Sequence, residues 1–198
     1  MALLLKEKFT DEITILNDDV LKISEDKISN EKLIVFGNLP YNNSTEILSK
    51  WIVNIDKNFW FESLLLMFQK VVAERIIAES NTSKYGRLSI LSNWKLNIKK
   101  IIDIKPKSFS PRPKIDSTLL LFTPRKNFFE LKNAKNLEMI TRVFFSQRRK
   151  MLKKPFNQVF NNPKEVADKF NIDLNLRPQN LEPEMYLKLV KEYENLRR

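Results

Sequence analysis

The chain has 198 residues, 42% of them hydrophobic, and carries 35 Lys+Arg against 24 Asp+Glu for a formal charge of +11; that length suits one good core and a small second one. Cysteine and histidine are both absent, which excludes disulfides, thiolate nucleophiles, ordinary zinc sites and histidine acid/base chemistry, so no metal is expected. No stretch approaches the roughly 18 apolar residues of a membrane span, and Met1–Leu5 runs at once into Lys6-Glu7-Lys8, so a soluble, unexported, cytoplasmic protein is expected.

Phe9 to Leu21 reads as the end of a helix followed by a strand at Ile13–Leu16, closed by the polar Asn17-Asp18-Asp19. Leu33–Phe36 is a short apolar run of the buried-strand type; Gly37-Asn38-Leu39-Pro40 breaks it, and Ser44-Thr45-Glu46 starts a helix. Phe61–Phe68 repeats the apolar run and Lys70–Glu79 the helix. Ser89–Ile104 reads as helix then strand, the alternating prolines of Phe109–Lys114 hold an extended loop, and Ser117–Phe122 is a last strand. Alternating strands and helices indicate a mostly parallel, doubly wound α/β sheet. After Pro124-Arg125 the pattern is helical only, so a boundary near Lys126 divides 1–125 from 126–198.

Such sheets bind ligands at the carboxyl ends of their strands, where the Asn17–Asp19 and Gly37–Tyr41 loops fall. Asn38-Leu39-Pro40-Tyr41 offers a side-chain carbonyl, a backbone carbonyl and a ring face on a proline-stiffened turn. Two acceptors and a stacking plane suit a planar base with an exocyclic amine. Accepting both hydrogens of that amine frees its lone pair and stabilises the positive charge that grows as it attacks a methyl group. The same four residues also read as an ordinary turn with an anchoring tyrosine. The net charge favours a polyanionic partner, nucleic acid first and an anionic membrane face second, although abundant Lys, Asn and Ile also fit compositional drift.

These residues resemble the Asn-Leu-Pro-Tyr motif of the KsgA/RsmA family of ribosomal RNA adenine dimethyltransferases, and other stretches agree in order. Asn17–Leu21 is similar to the family's acidic strand end, Lys84–Ser89 to its Tyr-Gly-Arg-Leu-Ser segment, Phe109–Ser117 to its Phe-x-Pro-x-Pro-Lys-Val-Asp-Ser loop, and Phe145–Lys150 to its Gln-Arg-Arg-Lys stretch. The resemblance implies a Rossmann-like methyltransferase sheet with a small helical RNA-binding domain, S-adenosylmethionine as methyl donor, and Asn38, Leu39, Pro40, Tyr41 and Phe109 as the catalytic set. It places Asp19 and Asn38 on the cofactor, and Phe109 opposite Tyr41 across the target base, although Phe109 also reads as a core plug. The implied target is a pair of adjacent adenosines near the 3′ end of 16S RNA in a 30S precursor, met by a monomer. Arg112 and Lys114 are placed to guide the backbone of an extruded base. Arg148, Arg149 and Lys150 read either as a solvated helix face or as phosphate contacts; on a helix three consecutive cations cannot share one face.

The family's Gly-rich cofactor loop, the acid after its second strand and its opening Gln-Asn-Phe-Leu segment have no counterpart. The only two glycines are Gly37 and Gly86. The sequence therefore reads as lacking the N-terminal part of the cofactor site, and the competing function is a catalytically inactive fragment or an RNA-binding assembly module. Leu39 and the Gln147–Lys150 stretch favour the small-subunit branch over the related large-subunit resistance methyltransferases.

Overall fold

The computed structural model describes residues 2–9, 13–55 and 58–197, which form two compact units, 1–31 and 32–198. The first unit holds helix α1 (Ala2–Phe9) and a short 3-10 turn at Glu25–Lys27. Ile13–Leu16 is not a strand, contrary to the expectation from its alternating pattern. A strand persists only where its N–H and C=O groups meet a neighbour; among the described residues nothing pairs with this segment, and Ile13 and Leu16 are exposed.

The second unit is built on a four-stranded sheet of order β1-β2-β4-β3, with β1 at Leu33–Asn38, β2 at Phe61–Gln69, β3 at Leu96–Ile104 and β4 at Ser117–Pro124. Only β1 and β2 pair in parallel; β4 runs antiparallel to both β2 and β3. The sheet is thus mixed where a mostly parallel one was expected, because β3 and β4 are joined directly by the proline loop rather than by a crossover helix. The continuous apolar run of β2 puts Phe61, Leu64, Leu66 and Phe68 fully out of solvent. Strand β1 lies at the edge, with Phe36 77% exposed.

Helices α2 (Ser44–Asn54), α3 (Lys70–Ile76) and α4 (Arg87–Lys95) flank the strands. In α2 the buried positions Ile47, Leu48, Trp51 and Ile52 follow the helical repeat and form one apolar stripe. Beyond Pro124 only helices follow among the described residues: α5 (Ala134–Ser146), α6 (Lys153–Val159), α7 (Pro163–Lys169) and α8 (Pro183–Leu196). Residues on both sides of Lys126 belong to the same compact unit. Phe144 is the hub of the helical end, its ring centroid 5.4 Å from Phe156 and 5.5 Å from Tyr186. Buried Glu194 of α8 accepts from the backbone N–H groups of Lys132 and Asn133 at 3.0 and 2.9 Å and from the Asn136 amide at 3.0 Å. It satisfies donors at the start of α5 and opposes the positive end of that helix.

Two close contacts hold these elements together, one between helices and one between strands. Lys95, only 4% exposed, donates through Nζ to the carbonyls of Ile52, at 3.2 Å, and of Ile55, and sits 4.1 Å from the Trp94 ring centroid. A cation there neutralises the carbonyl end of α2. At Gly37 an added Cβ would lie 2.6 Å from Leu66 Cδ2, so any side chain there would force the buried Leu66 side chain to shift within the core. Lys95→Met, which keeps the volume and removes the charge, should lower the unfolding free energy by about 1–3 kcal/mol in a urea titration. Gly37→Ala should cost about 1–3 kcal/mol by overpacking, read in the same titration.

Candidate functional site

Strand directions bring the candidate loops to one edge. Strands β1, β2 and β3 all end there, at Asn38, Gln69 and Ile104, and β4 starts there, with Ser117 paired to both Gln69 and Ile104. The 39–43 turn and the 105–116 loop both leave from this edge.

The turn after β1 is held from two sides. Asn43 N–H donates to the Pro40 carbonyl at 3.1 Å, and Ser44, buried, donates through Oγ to the Tyr41 carbonyl at 3.3 Å. The Tyr41 hydroxyl lies 2.7 Å from Ser117 Oγ, a hydrogen bond between residues 76 apart in sequence. Since Ser117 has no solvent exposure, this bond fixes the half-buried ring of Tyr41 and links the Asn-Leu-Pro-Tyr turn to the end of the proline loop. Asn38 is exposed, and its side-chain amide makes no hydrogen bond to another described residue. The tyrosine is anchored while the amide beside it keeps its hydrogen-bonding capacity.

The proline loop is clamped at its base. Lys105 Nζ lies 2.7 Å from Asp116 Oδ2, and the Asp116 carbonyl accepts from the Lys70 N–H at 2.9 Å. Within the loop, Pro106–Ser108 forms a 3-10 turn that closes with the Phe109 N–H donating to the Pro106 carbonyl at 3.1 Å, and the Ser110–Pro111 peptide is cis. Phe109 is half-buried, whereas Arg112 and Lys114 are exposed. Just before the loop, Asp103 accepts from Lys100 at 2.8 Å and from Thr118 Oγ1 at 2.7 Å, and lies 3.6 Å from Lys70. Hydrogen bonds from Lys100 and then Thr118, followed by the charges of Lys100 and Lys70, hold its carboxyl at about 2, below the usual 3.8.

The remaining candidates are placed differently. Asn38 belongs to the unit 32–198 and Asp19 to the unit 1–31. There it forms a local turn: Asp18 Oδ1 accepts from the Asp19 N–H at 2.7 Å, and Asp19 Oδ1 accepts from the Leu21 N–H at 3.0 Å. Gln147–Lys150 is not helical; α5 ends at Ser146, and the cations occupy the turn beyond it, where positive charge suits a helix carboxyl end. Arg148 is engaged inside the protein, donating through Nη2 to the Thr82 carbonyl at 3.2 Å and through Nε to Gln179 Oε1 at 3.3 Å, while Arg149 and Lys150 are exposed. The Lys84–Ser89 segment is architectural. Tyr85 is buried and donates to the Leu181 carbonyl at 2.9 Å, its hydroxyl pushed far above its ordinary titration range by burial and then by Glu182. Ser89 Oγ closes the start of α4 on the N–H and carbonyl of Gly86, both at 2.9 Å.

For a sulfonium methyl donor such as S-adenosylmethionine, the described residues fit the reacting end and not the whole molecule. Asn38, the Leu39 carbonyl and Tyr41 supply acceptors and an aromatic face. Neither glycine forms a cradle for a methionine moiety, because Gly37 packs against Leu66 and a Cβ on Gly86 would meet only Phe145, at 3.8 Å. Among the described residues no group of three or more acidic side chains is arranged to hold a metal.

Comparison with known proteins bears on this geometry. The family model described as ribosomal RNA adenine dimethylase matches residues 1–195. The chain belongs to that family. It is 77% identical over 197 residues to the ribosomal RNA small subunit methyltransferase A of Pelagibacter ubique, covering 100% of this chain and 75% of that protein. It is 40% identical to the protein of the same description from a Wolbachia of Drosophila simulans, covering 92% of this chain and 66% of the relative. The fold is that of a crystal structure of a dimethyladenosine transferase from Plasmodium falciparum, with a TM-score of 0.78 at 24% identity over 98% of this chain and 76% of the other. The 23S rRNA methyltransferase ErmE aligns less closely, with a TM-score of 0.65 at 18% identity over 98% of this chain and 78% of the other. The chain is thus a member of an enzyme family that dimethylates adenine in ribosomal RNA with S-adenosylmethionine as donor, the family its motifs resemble.

Sequence reasoning missed the pairing of Tyr41 with Ser117, although both lie in quoted motifs, because nothing local links residues so far apart. Tyr41→Phe and Ser117→Ala should each cost about 1 kcal/mol of stability and the double variant little more than either alone, giving a coupling of about 1 kcal/mol in a urea double-mutant cycle. The depressed Asp103 carboxyl stabilises the fold above about pH 4, and that contribution disappears as pH falls through about 2. Asp103→Asn should therefore melt lower than the parent at pH 7, and the gap should close between about pH 4 and 2 in an acid series of thermal scans.

Proposed function

We propose that the edge formed by the Asn38–Tyr41 turn and the 105–117 loop receives the target adenine of an rRNA (adenine-N6)-dimethyltransferase. Its substrate is the pair of adjacent adenosines near the 3′ end of 16S rRNA, presented on a 30S precursor during ribosome biogenesis. The observation that carries this reading is the Tyr41–Ser117 hydrogen bond at 2.7 Å, which anchors a stacking ring beside an exposed, unengaged Asn38 amide.

In this reading the base stacks on Tyr41, and its N6 hydrogens are accepted by Asn38 Oδ1 and the Leu39 carbonyl. Those acceptors release the amine lone pair from conjugation and stabilise the charge that develops on nitrogen. S-adenosylmethionine supplies an electrophilic methyl group; Asn38 would hold the donor from this unit, and Asp19 is the candidate cofactor contact of the unit 1–31. Pro40 stiffens the turn, and Phe109 closes on the other face of the base. Arg112 and Lys114 steer the sugar–phosphate on either side of the extruded nucleotide, and Arg149 and Lys150 meet phosphates from the helical end, so that 1–125 serves chemistry and 126–198 serves RNA binding. A binding module without catalysis is the second reading; it draws on the two glycines, both used in packing rather than in a cofactor cradle.

Transfer of labelled methyl to unmethylated small subunits separates the two. It should be run with this chain and, in parallel, with the 77%-identical Pelagibacter ubique enzyme carrying the matching substitutions. Asn38→Ala should reduce transfer by about 100-fold or more with RNA affinity changed less than about 3-fold. A full-rate Asn38→Ala enzyme removes that residue from the mechanism. Salt-sensitive RNA binding by this chain with no transfer under any condition selects the binding module.

A further inference from the structure

The antiparallel ladder of β3 and β4 ends at the pair Ile104 and Ser117. Lys105 and Asp116 are the next residues on the two sides and stand opposite each other in that register, where a side-chain ion pair of 2.7 Å takes over from the backbone ladder. The 106–115 segment therefore leaves the sheet through a neck closed by one lysine and one carboxylate.

Each side of the neck leads to one of the two rings proposed to hold the base. On the incoming side, the Lys105 carbonyl accepts from the Ser108 N–H at 3.0 Å and the Pro106 carbonyl from the Phe109 N–H at 3.1 Å. This short turn, with φ fixed at Pro106, carries any shift of Lys105 on to Phe109. On the outgoing side, the Asp116 carbonyl accepts from the Lys70 N–H at 2.9 Å, and the next residue, Ser117, holds the Tyr41 hydroxyl at 2.7 Å. Ser117 has no solvent exposure, so this side is held by the sheet and the ion pair sets the other. The side chains of Lys105 and Asp116 are 62% and 25% exposed. An ion pair so open to water adds little to the stability of the fold, yet it decides where the loop begins.

We infer that Lys105 and Asp116 are a positioning pair for the proposed base site. Without touching the base, they set the gap between Phe109 and Tyr41 and so favour the extruded state of a flat purine between the two rings. The inference rests on the reading of this edge as the adenine site and gives a role to two residues to which that reading assigns none.

The test uses this 198-residue chain and an RNA hairpin that carries the two adjacent adenosines with a 2-aminopurine immediately 5′ of them, whose fluorescence rises when its neighbour leaves the stack. The parent should raise the signal at saturation, and Y41A should not. K105Q, D116N and the double variant should each reach about half of the parent's rise or less, the double being no worse than either single. Their RNA affinity should stay within about 3-fold of the parent and their melting temperature within about 3 °C. K105R, which keeps the pair, should behave as the parent. An unchanged rise in K105Q and D116N overturns the pair and leaves the base site standing. A rise that falls only in step with the melting temperature makes the pair structural and overturns its positioning role. Loss of affinity in K105Q with none in D116N makes Lys105 a phosphate contact and overturns the pair as well. A parent that binds the hairpin without any rise, or does not bind it, overturns both the pair and the base-site reading.

Discussion

Strand β2 sets the frame for everything else. Its apolar side chains are buried on both faces of the sheet, so it cannot shift register without exposing core. With β2 fixed, parallel β1 ends beside it and antiparallel β4 begins beside it, and the turn and loop that carry candidate chemistry leave from one edge. Gly37 belongs to the same constraint, since a side chain there would displace the buried Leu66 side chain of β2.

Much of this was legible in the sequence, for physical reasons that differ by element. The runs Leu33–Phe36 and Phe61–Phe68 announced strands; Phe61–Phe68 is buried as its continuous apolarity implies, whereas Leu33–Phe36, read as the same buried type, lies at the edge with Ile34 and Phe36 exposed, and α2 followed from its apolar stripe. Ile13–Leu16 misled because alternation marks a strand only when a partner exists. A mostly parallel sheet was expected, and β4 is the strand that departs from it, because a loop of extended residues joins it to β3 as an antiparallel pair. The Asn38–Tyr41 turn could be proposed from chemistry, whereas its anchor at Ser117 could not, because that contact is tertiary. Arg148 shows the converse: a cation within a basic motif is spent on internal carbonyl and amide acceptors.

Strand β1 departs from ordinary economy. Phe36 and Ile34 stand on its exposed face at the open edge of the sheet, 77% and 57% accessible. Natural edges are usually blunted by charge, proline or a bulge. This one carries a register irregularity only at Leu33/Ile34 and then runs regularly up to Asn38. The strand that delivers the Asn38 amide proposed to accept from the base is therefore secured by β2 on one side, by hydrogen bonds and the close approach at Gly37, and not by burial of its own outward side chains.

The hydrogen bond from Tyr41 to Ser117 has a consequence for the order of assembly. It joins residues 76 apart, which at a synthesis rate of about 5–20 residues per second leave the ribosome about 4–15 s apart. During that interval the Asn38–Tyr41 turn exists without the partner that fixes its ring, and closing so long a loop carries an entropic cost that only docking of β4 offsets. A nascent chain thus displays the motif well before it possesses the site. The geometry proposed to receive an adenine comes into being only when the sheet is complete.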